Sequence, residues 1–169
     1  MNKTTAITLS AIYLGSIVAA NWAVSAIGVV PVGFGLMAPA AVYFVGFTLV
    51  LRDVLQRQIG KPATVGLIVA GAGLSALISP TLALASGLAF LASESVDLAV
   101  FSSVERFGFL RAVIASNAVS IVVDSLVFLS IAFGSLAFLD GQIVGKAVAT
   151  LAGVAVLVAL RRSRRVVTA

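Results

Sequence analysis

The sequence predicts an all-α membrane protein, a six-transmembrane-helix bundle with its N- and C-termini in the cytoplasm. Three observations predict it. Of 169 residues, 61% are hydrophobic and only 10% are charged, against roughly 25% charged in a soluble domain. The mean hydropathy is +1.20. Basic residues also divide the chain into three long apolar blocks. No charge lies between Lys3 and Arg52, no basic residue between Lys61 and Arg106, and only Lys146 between Arg111 and Arg161.

Each block exceeds 40 residues, and one span needs about 20, so each holds two spans and a turn. Breakers mark the turns: Gly28 to Gly35 (GVVPVGFG), Ser79-Pro80-Thr81, and Phe133 to Gly141 with Gly134 and Asp140. The expected helices cover about residues 5–27, 34–51, 62–79, 82–104, 110–134 and 140–161. They form a single transmembrane domain, 1–169. Arg52, Arg57 and Lys61 then fall in one inside loop, Arg106 and Arg111 in the next, and Arg161, Arg162, Arg164 and Arg165 in the tail. The outside loops hold no Lys or Arg, which places both termini in the cytoplasm of a multi-pass protein of the cell (inner) membrane. The basic tail reads as a stop-transfer anchor. The first apolar run is too long, and too like the others, for a signal peptide, so it is read as the first span.

Cysteine and histidine are both absent, which excludes disulfides, thiolate chemistry, haem and the usual zinc sites. An all-carboxylate ion site stays open, and no cofactor is expected. The net charge of +5 does not point to nucleic acid, because the basic residues sit in short loops and the tail. The partners expected are the lipid bilayer and a small substrate. Small residues recur on the third helix (Gly66, Ala70, Gly71, Gly73, Ser75) and the fourth (Ala85, Ala89, Ser93). Such faces suit close helix packing, and a homo-oligomer is compatible with them.

Charged residues inside the apolar runs carry the functional signal. A charge at bilayer depth costs several kcal/mol, so it faces a cavity or a partner. On the fourth helix Glu94, Asp97 and Phe101 share one face, which Phe90 extends. Glu94 lies about 12 residues in from the outer turn, near mid-bilayer at 1.5 Å per residue. Two carboxylates one turn apart repel if both ionise. Arg106, Arg111 or backbone groups are the partners of a purely structural reading. On the fifth helix Asn117, Ser120 and Asp124 form a stripe. Lys146, near the outer start of the sixth, should reach the depth of Asp124, so the two are expected to pair or to share a ligand. Asn21 and Trp22 come to similar depth on the first helix. Asn21 also reads as helix-packing glue, and Trp22 as an interface anchor.

At these residues the chain resembles the vitamin uptake transporter family, also called the queuosine precursor transporter family. Ser93-Glu94-Ser95-Val96-Asp97 looks like its Ser-Glu-Leu-x-Asp element. The stretch Arg111 to Phe133 (RAVIASNAVSIVVDSLVFLSIAF) is similar to its Arg…Ser-Asn…Asp-Thr-x-x-Phe…Ala-Phe helix, with Ser125 in place of Thr. Asp53 through Gly60-Lys61 resembles its Asp…Gly-Lys cytoplasmic loop, with Arg57 and Ile59 where the family usually has an acidic and an aromatic residue. Gly145-Lys146 fits its last helix. The resemblance implies import of a queuosine precursor such as 7-cyano-7-deazaguanine or a related 7-deazapurine base. Its adjacent N–H donors suit a buried carboxylate, so Glu94 or Asp97 is the candidate acceptor. Phe90 or Phe101 is the candidate stacking ring, and Asn117, Ser120 or Lys146 would meet the carbonyl. The alternative is a substrate-binding membrane subunit of a multi-component ATP-driven vitamin importer, since the chain has no phosphate-binding loop of its own. No nucleophile, cofactor or metal motif suggests an enzyme.

Overall fold

A computed structural model describes residues 3–167. Six α-helices and one β-hairpin form it: α1 Lys3–Ile27, β1 Val29–Gly33, β2 Leu36–Pro39, α2 Val42–Ile59, α3 Lys61–Ala76, α4 Pro80–Val104, α5 Phe109–Phe133 and α6 Leu139–Val167. The helices pack in a closed ring, in the order α1–α2–α6–α5–α4–α3 and back to α1. Among the described residues, three segments are long and apolar enough to cross a membrane: Lys3–Ile27, Pro80–Phe107 and Ile114–Phe133. The Pro62–Ala76 helix is apolar but shorter.

Local chemistry sets the boundaries. Gly28, at φ 79°, ends α1, and its N–H reaches the Val24 carbonyl at 3.0 Å. Ser79 caps α4 by accepting the Leu82 N–H at 3.3 Å, and Pro80 takes the first turn, where its missing N–H costs nothing. Gly134 adopts the left-handed conformation after α5 and donates its N–H to the Ser130 carbonyl. Asp140 lies in the first turn of α6, where the helix dipole favours a carboxylate.

The second helix differs from expectation. The sequence reading runs it over 34–51, but the structure begins it at Val42 and carries it to Ile59. Pro39 would sit inside a helix begun at 34, where it clashes with the preceding turn. Val29–Gly33 and Leu36–Pro39 instead pair as an antiparallel hairpin, so the fold is a helical bundle with a small hairpin, not purely α-helical. Its two-residue loop is Phe34-Gly35, both at positive φ, the geometry that matches the strand twist. At the other end, Leu51, Leu55 and Ile59 recur every four residues and pack with Tyr13, Leu9, Ile17, Leu67 and Ile68. That face keeps α2 helical through residues 52–59, which the sequence reading gave to a loop. The side chains of Asp53, Arg57 and Lys61 lie outside the described residues, as do those of the basic tail, Arg161, Arg162, Arg164 and Arg165. The third helix stops at Ala76 instead of 79, because Ser79 already caps its successor.

The bundle is apolar outside as well as inside. Ile7, Leu91, Leu98, Ile114 and Leu151 are all exposed, as suits a surface that faces hydrocarbon. Small residues let the helices approach. Ala85, Ala89 and Ser93 are buried at four-residue spacing along α4, the helix most closely packed against α5. A Cβ on Gly71 would press on the Ile17 side chain, which brings α3 against α1. A Cβ on Gly141 would overlap the Met37 backbone, and one on Gly145 the Val42 side chain, so these two seat α6 against the hairpin and the start of α2.

Candidate functional site

Polar side chains enter the helix ring at several levels. Nearest the hairpin end, Asn21 of α1 is buried and accepts a hydrogen bond from Ser86 of α4 at 3.1 Å. The helix-packing role that the sequence suggested for Asn21 is the one this bond performs. Trp22, by contrast, is 53% exposed.

On the α5–α6 side, Lys146 is only 3% exposed. Its ammonium donates to Asp124 Oδ2 at 2.5 Å and to Ser125 Oγ at 2.9 Å. Ser125 in turn donates to the Ile121 carbonyl at 2.8 Å. Lys146 has three N–H donors, and two are thus committed to α5. The expected pairing with Asp124 is present. Sequence reasoning missed two neighbours on α6. Gln142 and Thr150 flank Lys146 at four-residue spacing, so the three share a face. Gln142 Oε1 and Thr150 Oγ1 are buried without a hydrogen-bond partner among the described residues. The four-residue spacing of Gln, Lys and Thr in an apolar run is the signal that would have found them.

Toward the opposite end, Glu94 of α4 does not pair with Arg106 or Arg111. Its partner is Arg52 of α2, whose Nη1 donates to Glu94 Oε1. Arg52 also lies over the Phe90 ring, with its guanidinium carbon 5.8 Å from the centroid. This is within the range of a cation–π contact. The later start of α2 explains the partnership: residue 52 falls inside the helix, not in a loop beyond it. The two helices are not ring neighbours, and the long arginine side chain bridges them.

Ser86, Phe90, Glu94, Asp97 and Phe101 therefore mark one polar and aromatic face of α4, beside the small-residue face that packs on α5. Ser120 of α5 donates to the Ser93 carbonyl at 3.3 Å and ties α5 to this level. Asp97 is partly exposed and makes no hydrogen bond or ion pair among the described residues. Phe101 is partly exposed and Asn117 exposed. The structure thus joins Asp124 to Lys146, Glu94 to Phe90 through Arg52, Ser120 to α4, and Asn21 to Ser86.

A multi-pass helical membrane protein with ion pairs linking separate helices is built like a transporter, in which intramembrane charges mark the substrate path. The chain belongs to the family described as Putative vitamin uptake transporter, whose model matches residues 77–161, just over half of its length. The match spans α4, α5 and most of α6, and so contains Glu94, Asp97, Asp124 and Lys146. Arg52 and Asn21 lie outside it. No curated protein matches the chain, and no solved structure does. Family membership implies membrane transport rather than catalysis.

Proposed function

We propose that this chain imports a small planar base of the queuosine-precursor type, 7-cyano-7-deazaguanine or a related 7-deazapurine, across the cell membrane. All six helices span the bilayer in this reading, and both termini are cytoplasmic. The observation that carries it is the Glu94–Phe90 pair on one face of α4, a carboxylate and an aromatic ring that Arg52 of α2 touches together. A carboxylate accepts two N–H bonds from the edge of a guanine-like base, and charge-assisted bonds of this kind are strong. Phe90 offers the stacking surface. Lys146, two of whose three N–H donors go to Asp124 and Ser125, is the donor proposed for a carbonyl through the third. Asp97, one turn beyond Glu94, is the next acceptor along the same face.

The test is uptake in cells that can neither make nor import the base, expressing this chain alone, with queuosine in tRNA as readout. Restored queuosine supports the reading, and Glu94→Gln should then lower it at least tenfold, since a charged hydrogen bond contributes about 1.5–3 kcal/mol. Normal transport by both Glu94→Gln and Asp97→Asn would remove the carboxylate from recognition. If the protein reaches the membrane and queuosine stays absent, binding of the base to purified protein separates a wrong cargo from a missing ATP-driven partner.

A further inference from the structure

We propose that Glu94 and Phe90 form a subsite for a planar guanidine unit, and that Arg52 fills this subsite as a tethered competitor of the cargo. The inference rests on the reading of Glu94 as the cargo's acceptor and adds to it a residue outside the matched family region.

The chemistry of the occupant identifies the site. A guanidinium is flat, delocalised and edged with N–H donors in a fixed fork. Arg52 donates from Nη1 to Glu94 Oε1 and places its guanidinium carbon 5.8 Å from the Phe90 centroid. The N1–C2–N2 edge of a guanine-type base is itself a cyclic guanidine. It carries the same adjacent N–H donors on the same flat carbon. A carboxylate and a ring that accept one will accept the other.

The Lys146–Asp124 and Arg52–Glu94 pairs differ in the way a competitor requires. Lys146 is closed in: its side chain is 4% exposed and it holds two partners on α5. Arg52 is 18% exposed, and its partner Glu94 is 38% exposed. Open space therefore adjoins the carboxylate that a base would approach. Arg52 arrives from a helix that is not packed beside α4. A cargo that must displace Arg52 binds more weakly by the fraction of time the subsite is free.

Two measurements on the purified full-length chain test this. The first uses guanidinium chloride at low millimolar concentration as the probe and thermal stability as the readout. Guanidinium should stabilise Arg52→Ala, and should stabilise neither the wild type nor Arg52→Ala/Glu94→Gln. The second is the affinity of 7-cyano-7-deazaguanine for the wild type and for Arg52→Gln, which keeps a polar side chain of similar length and serves where Arg52→Ala does not accumulate. If Arg52 holds the subsite about ten times in eleven, the variant binds about tenfold tighter. Guanidinium stabilisation that depends on Glu94, with no base binding to any variant, keeps the subsite and sinks the cargo reading. No guanidinium effect on Arg52→Ala, or weaker base binding by Arg52→Gln than by the wild type, overturns the proposal.

Discussion

An ammonium at Lys146's depth is tolerable only while its hydrogen bonds last, and the two ends of its ion pair are not equally placed. The Lys146 side chain is 4% exposed while that of Asp124 keeps 28%. Removing the carboxylate leaves a buried cation with Ser125 alone. Removing the lysine leaves a carboxylate with open space beside it. Breaking a buried pair costs about 3–5 kcal/mol, whereas replacing both partners is often near neutral. Asp124→Asn should therefore destabilise more than Lys146→Met, and the double variant should recover most of the loss. Thermal unfolding in detergent checks this ordering. A loss in the double variant equal to the sum of the two single losses would mean that the pair contributes nothing to stability. Transport gives the second readout, since single variants that are stable in the membrane yet inactive would assign the pair a role in the transport cycle. On α4 the residues separate in another way. Glu94 has a partner, and Asp97 makes no bond among the described residues. Glu94→Gln should impair uptake more than Asp97→Asn, and the reverse order in the queuosine assay would move the acceptor one turn along the helix.

At the scale of elements, close backbone approach replaces large apolar knobs. Gly141 sits against the Met37 main chain, which cannot rotate away, whereas Gly145 faces the Val42 and Val32 side chains. Gly141→Ala should therefore displace α6 from the hairpin and cost more than the about 1–3 kcal/mol of ordinary overpacking. Gly145→Ala should fall inside that range. Lys146 follows on the same helix, so uptake should follow the same order, and equal tolerance of the two alanines would show that α6 does not depend on the hairpin for its position. The same elements mark what the sequence could and could not disclose. Helices α1, α4, α5 and α6 are legible because long apolar runs end at Gly28, Ser79-Pro80 and Gly134, each with its own stop chemistry. The Asp124–Lys146 pair is legible from depth alone, since both positions count inward from recognisable turns. The Arg52–Glu94 pair is not, because its partners stand 42 positions apart and depend on where α2 begins. Two local signals bear on that start and were outweighed by hydropathy. Pro39 forbids a helix begun at 34, and the spacing of Leu51, Leu55 and Ile59 extends the helix through the charges around Arg52.

At the scale of the whole molecule, the ring of helices has spans of unequal quality. Among the described residues, three helices have the length and hydropathy to cross. The 16 residues of α3 extend about 24 Å at 1.5 Å per residue, short of the ~30 Å hydrocarbon core. The α2–α3 hairpin thus decides between two topologies. Either it crosses fully, with local thinning of the bilayer over α3, or it enters and returns to the side it came from. Both place the start of α4 on the same side, so the termini do not distinguish them. Gln58, exposed near the α2–α3 connection, does. The chain has no cysteine, so a single introduced thiol reports without background. In intact cells a membrane-impermeant maleimide should label Phe34→Cys at the hairpin tip, which is 91% exposed. It should spare Gln58→Cys and Arg106→Cys until the membrane is opened. Labelling of Gln58→Cys from outside, with Arg106→Cys still protected, would make α2–α3 a re-entrant pair. Arg52 would then lie on an element that does not cross the bilayer, and the interior reached by Glu94 and Phe90 would open toward the hairpin side alone. Protection of both is the result that a six-span importer requires, because Arg52 then stands on a full span and its cargo path runs through the ring from one side to the other.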